Sequence, residues 1–201
     1  MPQRTFAALI TPLLAVLILI LVPLVESLHG GVLWGLNYHS PKFMSQVGDV
    51  LALVKLIALC AGMYLLFTQH GTFRHLLKSK WISIILSSVL AIVALIQIAI
   101  GLIGVLIDAT LGTNRDYFHK EFAIENNTIY VFTADPGAMG TAYHYFYLQC
   151  PLPLNRYELT FIEKTNWVWE LELKASDNGF DVFNQRGGFK YRVSLGEVGC
   201  G

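Results

Sequence analysis

The chain has 201 residues, 54% of them hydrophobic and only 14% charged, with 14 basic and 14 acidic side chains and a mean hydropathy of +0.52. That balance is far more apolar than a soluble domain's, and formal neutrality provides no electrostatic footprint for a polyanion, which sets nucleic acid aside as a partner. The averages conceal two unlike parts. Met1 to Asp108 holds six Lys or Arg and three acids, whereas the remainder carries eight basic and eleven acidic groups.

Residues Phe6 to Leu28 are apolar apart from Thr11, Glu26 and Ser27, long enough at ~1.5 Å per residue to cross a hydrocarbon core of ~30 Å. The run exceeds the ~7–15 residues of a signal-peptide core and no A-x-A-like site follows, so it reads as a retained span. Pro12 and Pro23 lie inside it, where a membrane helix accommodates proline better than a soluble one. Further spans are expected over Val47 to Phe67 and Ile82 to Ile107. Between them, Arg74, Lys78 and Lys80 crowd a short loop, while the first loop, His29 to Gly48, has Lys42 as its only fixed positive charge. The positive-inside bias therefore places the Thr68–Trp81 loop and the N-terminus in the cytoplasm, and three crossings carry the C-terminal part outside.

Four polar residues interrupt or end these spans: Lys55, Gln97, Glu26 and Asp108. A charge at mid-span costs at least ~2.5–3.5 kcal/mol and marks a function or a partner. Lys55 sits near the outer edge, where it can snorkel or pair with Glu26 or Asp108, and Gln97 can hydrogen-bond a neighbouring helix.

Beyond Gly112 the pattern changes from continuous to alternating. Trp167, Trp169, Leu171 and Leu173 alternate with Glu170, Glu172 and Lys174, the period of a half-buried strand. Phe189 to Leu195 and Tyr157 to Phe161 repeat it, a shorter strand is expected at Phe180 to Phe183 to complete a four-strand meander, and Ile129 to Thr133 and Tyr143 to Leu148 add two more. The fold class expected is thus membrane α plus all-β: a three-helix transmembrane region over residues 1–108, then an extracytoplasmic antiparallel β sandwich or partly open barrel over 109–201. Cys150 and Cys200 both fall in the outer part, where a disulfide persists; closing a loop of about 50 residues contributes roughly 3–4 kcal/mol. Cys60 lies within the second span.

No catalytic, cofactor or metal motif is recognisable: there is no HExxH, GxSxG, phosphate-binding loop or CxxC. His144 between Tyr143 and Tyr145 is the candidate surface site, a platform only if these rings face outward. Asn126-Asn127-Thr128 matches a glycosylation acceptor. The expectation is a non-enzymatic component of a bacterial inner membrane. Beyond the lipid bilayer, its periplasmic domain binds a membrane or periplasmic protein, another copy of the chain included. The rivals are an oligomeric transport or channel subunit built on Lys55, Gln97, Glu26 and Asp108, and an enzyme at the outer interface using His144, His119 or His39 with Asp135 or Glu121.

Overall fold

The computed structural model describes residues 6–77, 79–111, 115–137, 140–196 and 198–200. Two compact units emerge: Met1–Leu36 with Val47–Gly112, and Asn37–Gln46 with Thr113–Gly201.

The first unit is helical. Helix α1 covers Phe6–His29 and runs through both prolines, α2 covers Pro41–Thr68, α3 is the short His70–Leu76, and α4 covers Lys80–Leu111. Three of these, over Ile10–His29, Pro41–Thr68 and Lys80–Ile107, are long and apolar enough to cross a membrane. The buried seam of the unit is Val16, Ile20, Leu59, Leu66, Leu90 and Ala94 from these three and Phe73 from α3. Large apolar side chains also point away from it, as Ile57 and Ile100 do at 70% and 66% exposure, which suits a lipid surround rather than water. Of the two glycines in α4, Gly101 permits close approach, because a Cβ there would stand 3.0 Å from Leu56 of α2; Gly104 faces open space.

The second unit begins, after a four-residue helix α5 (Arg115–Phe118), with β1 (His119–Ile124), β2 (Asn127–Ala134), β3 (Tyr143–Leu152) and β4 (Arg156–Asn166), one antiparallel sheet in chain order. A second sheet joins β5 (Glu172–Ser176), β6 (Gly179–Phe183) and β7 (Phe189–Ser194), again in chain order. The shared core draws Ile129, Val131, Phe146 and Leu148 from the first sheet and Phe180, Val182 and Val193 from the second, with the Phe146 and Phe180 rings 5.4 Å apart. Two sheets burying one face each form a sandwich, and they do not close into a barrel. Gly179 has to be glycine: a Cβ there would collide with the Val193 carbonyl oxygen. Cys150 and Cys200 lie at disulfide distance, Cα–Cα 5.4 Å, tying the end of β3 to the C-terminal segment.

Three features differ from the sequence reading. The run from Trp167 to Leu171 is not a strand but the crossover between the sheets, and only Glu172–Ser176 pairs. The chain must turn there, and Glu170 adopts a left-handed φ of 44°, so Trp169 swings out to 60% exposure while Leu171 is buried. The expected four-strand meander is consequently split, β4 belonging to the first sheet. Strand β1 escapes the sequence reading because its inward Phe122 and Ile124 share their face with Lys120 and alternate only with Glu121 and Ala123, too weak an apolar signal to stand out.

Asn37–Gln46 groups with the β unit: Tyr38 bridges Arg156 antiparallel, the His39 N–H donates to the Asn155 carbonyl at 2.8 Å, and the Tyr157 N–H donates to the Asn37 carbonyl at 3.2 Å. Lys42 pairs with Asp116 and holds that carboxyl below its usual range. The segment covers the start of β4, an edge strand that otherwise presents unpaired backbone groups.

Candidate functional site

The alternation of β3 sorts the aromatic cluster into two faces. His144, Phe146 and Leu148 turn into the sandwich; Tyr143, Tyr145 and Tyr147 turn out and are half-buried. His144 is therefore not a surface group, being 1% exposed. The Val168 N–H donates to its Nε2 at 2.9 Å, which leaves the proton on Nδ1 to donate to Thr133 Oγ1 at 3.1 Å. Burial pushes its pKa below the ordinary histidine value; the Val168 carbonyl, 3.1 Å from Nε2 and an acceptor for the charged ring, opposes the shift, and Lys120 adds to it. A neutral imidazole with both nitrogens engaged fastens the inter-sheet crossover at Val168 onto β3.

The outward face is aromatic across three strands. Register sets Tyr130, Tyr147 and Phe161 in one row and Phe132, Tyr145 and Lys164 in the next. Ring centroids are 5.9 Å apart for Tyr130–Tyr147, 5.8 Å for Tyr147–Phe161 and 6.5 Å for Phe132–Tyr145. His119 of β1 stacks on Tyr130 with its Nδ1 2.6 Å from the phenol oxygen. The Lys164 ammonium lies 3.8 Å over the Tyr143 ring and 5.2 Å from that of Tyr145, a cation on two π faces. Phe161 is 53% exposed. Burial raises the pKa of Tyr130 and Tyr147, and raises Tyr157 to about 12, so these phenols are neutral at ordinary pH. The face is apolar at its rings and hydrogen-bonding at its hydroxyls.

Other residues named for an interfacial enzyme make the following contacts. The Tyr117 hydroxyl donates to Asp135 Oδ2 at 2.6 Å and the Gly137 N–H to Oδ1 at 2.8 Å. Those bonds lower the Asp135 pKa, while burial and the carboxylate raise Tyr117 to about 12. His39 Nδ1 faces the Asn155 amide at 3.3 Å. Among the described residues no group of three His, Cys, Asp or Glu side chains is placed to hold a metal ion.

The helical unit brings together Lys55 and Glu26. Glu26 is 6% exposed and its Oε1 also accepts the Leu33 N–H at 3.2 Å, while the Lys55 ammonium donates to Ser27 Oγ at 3.1 Å. A buried carboxylate in apolar surroundings needs such a partner, so Lys55 acts as a counter-ion rather than simply snorkelling. The Gln97 amide donates to the Ile20 carbonyl at 3.3 Å and the Val93 carbonyl at 3.4 Å, linking α4 to α1. Glu26, Ser27, Lys55 and Gln97 all line a cavity of about 740 Å³. The Asp108 side chain lies outside the described residues. Sequence reasoning missed Ser27 and the Leu33 amide, which no motif marks, and Phe132, Phe161 and Lys164, which only strand register places beside the tyrosines.

Comparison of the chain with protein-family models, with curated proteins and with solved structures finds no match, so function is argued from its own residues.

Proposed function

We propose that this chain is a non-catalytic integral membrane component whose β sandwich binds a protein partner through the outward face of the β1–β4 sheet. In this reading the membrane is a bacterial inner membrane and the sandwich is periplasmic, as the Lys and Arg of the Thr68–Trp81 loop favour. The observation that carries the reading is the accessible part of that face, Phe161 at 53% exposure with half-buried Tyr147, Phe132 and Tyr145 and the exposed Lys164, set over a buried Tyr130. Tyrosine-rich patches with a fixed cation supply rigid contact area and polar tips at low entropic cost, as interface hot spots do.

The test is crosslinking in native membranes followed by purification of intact protein and of a Tyr145→Ala/Phe161→Ala variant, two outward positions that leave the core untouched. A defined protein recovered with the first and depleted at least about tenfold with the second is the expected result, since two hot-spot truncations remove more than ~2 kcal/mol. A partner recovered equally by both would place the interface elsewhere. Recovery of nothing beyond this chain as a monomer would overturn the reading.

A further inference from the structure

The helical unit carries a second site, independent of the sheet face. Its cavity of about 740 Å³ falls within the ~300–1,000 Å³ of small-ligand sites. The walls are apolar, with Leu24, Leu28, Leu51, Leu56, Ile96 and Ile100 prominent, and the polar groups gather at Glu26, Ser27 and Lys55.

The donors and acceptors at that corner do not close on themselves. The Lys55 ammonium has three N–H groups, of which Glu26 and Ser27 take two. The Glu26 carboxylate offers about four lone-pair sites, of which Lys55 and the Leu33 N–H occupy two. What remains is one donor and further acceptor capacity side by side at the mouth of an apolar cleft near the outer edge of the spans, the level at which lipid headgroups lie. The complement is an amphiphile with an acceptor anion and an N–H-bearing cation a few atoms apart, joined to an acyl chain.

We propose that this cleft binds one phospholipid of the phosphoethanolamine class, its phosphate on Lys55, its ammonium on Glu26 and an acyl chain along the Leu24–Leu56–Ile100 wall. Charge decides among headgroups. The pair is neutral as a whole, so a purely anionic lipid gains at Lys55 what it loses beside Glu26. A trimethylammonium headgroup brings a cation with no N–H to donate to the carboxylate.

The experiment uses the full chain, delipidated in detergent and incubated with vesicles containing equal parts of phosphatidylethanolamine, phosphatidylcholine and phosphatidylglycerol with identical acyl chains. Lipid co-purifying with the protein is then counted by mass spectrometry. The ethanolamine lipid is expected to exceed each of the others by about tenfold, the ratio that one charge-assisted hydrogen bond gives. Glu26→Gln combined with Lys55→Met removes the corner without stranding a charge and should level the three lipids. Ala52→Phe fills the cleft while leaving the ion pair in place and should reduce total retention. Equal retention of all three lipids by the unaltered protein overturns the proposal. So does a preference for phosphatidylglycerol, or an ethanolamine preference that survives both variants. None of these results bears on protein capture by the β sandwich.

Discussion

The two units handle solvent in opposite ways. In the β sandwich Phe146 and Phe180 fill the interior, fully buried, and the ion pair Asp181–Arg192 lies on the outside. In the helical unit the pattern inverts: Ile57, Ile100 and Leu106 stand exposed, and the charged pair Glu26–Lys55 is withdrawn inside. The same rule produces both, since each unit turns toward its surroundings the atoms those surroundings solvate. The contrast implies that an ion pair has very different weight in the two places, because removing one member strands the other in hydrocarbon in one case and in water in the other.

The largest expected effect follows from that difference. Lys55→Leu should destabilise the helical unit by about 3–5 kcal/mol, because Glu26 is left buried without its counter-ion. Adding Glu26→Gln should recover most of the loss, a coupling that thermal unfolding of single and double variants in detergent would measure. Additive losses would show that the two residues do not act as a pair.

Next in size, replacing Cys150 and Cys200 together by Ser should lower the stability of the sandwich by about 3–4 kcal/mol, the chain-entropy value for a loop of this length. Amide exchange should speed up in β1–β7 and not in α1, α2 or α4. Uniform acceleration would mean that the units are not separate in stability.

A smaller effect is expected from pH. His144 has a folded pKa below its unfolded value of about 6.5. The folded state therefore binds fewer protons, and stability that is complete above that value falls as the pH drops through it toward the folded pKa. His144→Gln should flatten this slope in a pH series of denaturant midpoints; an unchanged slope would place the titrating group elsewhere. The smallest change is expected at the surface, where Asp181→Asn breaks an exposed bidentate pair with Arg192 and should leave the midpoint within error at physiological salt.

Legibility in the sequence divided along the same line. The three long helices could be read from run length alone, because a lipid surround demands apolar residues all round and leaves little ambiguity. The β strands could be read where alternation is strong, as at Phe189–Ser194, but Trp167–Leu171 shows the limit: an alternating run also fits a crossover in which one aromatic is turned outward. Register is set by turns and bulges rather than by any one strand's composition, so the outward tyrosines were nameable while Phe132, Phe161 and Lys164 beside them were not. His144 was singled out for its neighbours in sequence, yet in a strand those neighbours point the opposite way. Lys55 was identifiable by its cost, and Glu26 by being an acid at the same end of a neighbouring span.

The placement of Asn37–Gln46 within the β unit bears on how the protein is made. Ribosomes deliver this short segment first and the strand it pairs with, β4, more than a hundred residues later, with two long helices threaded in between. The sandwich reaches its final form only if both pieces arrive on one side of whatever those helices cross, that is, after an even number of crossings. Completion of the domain is in effect a parity check on insertion, and a chain that skipped or reversed one helix would be left with an unpaired edge.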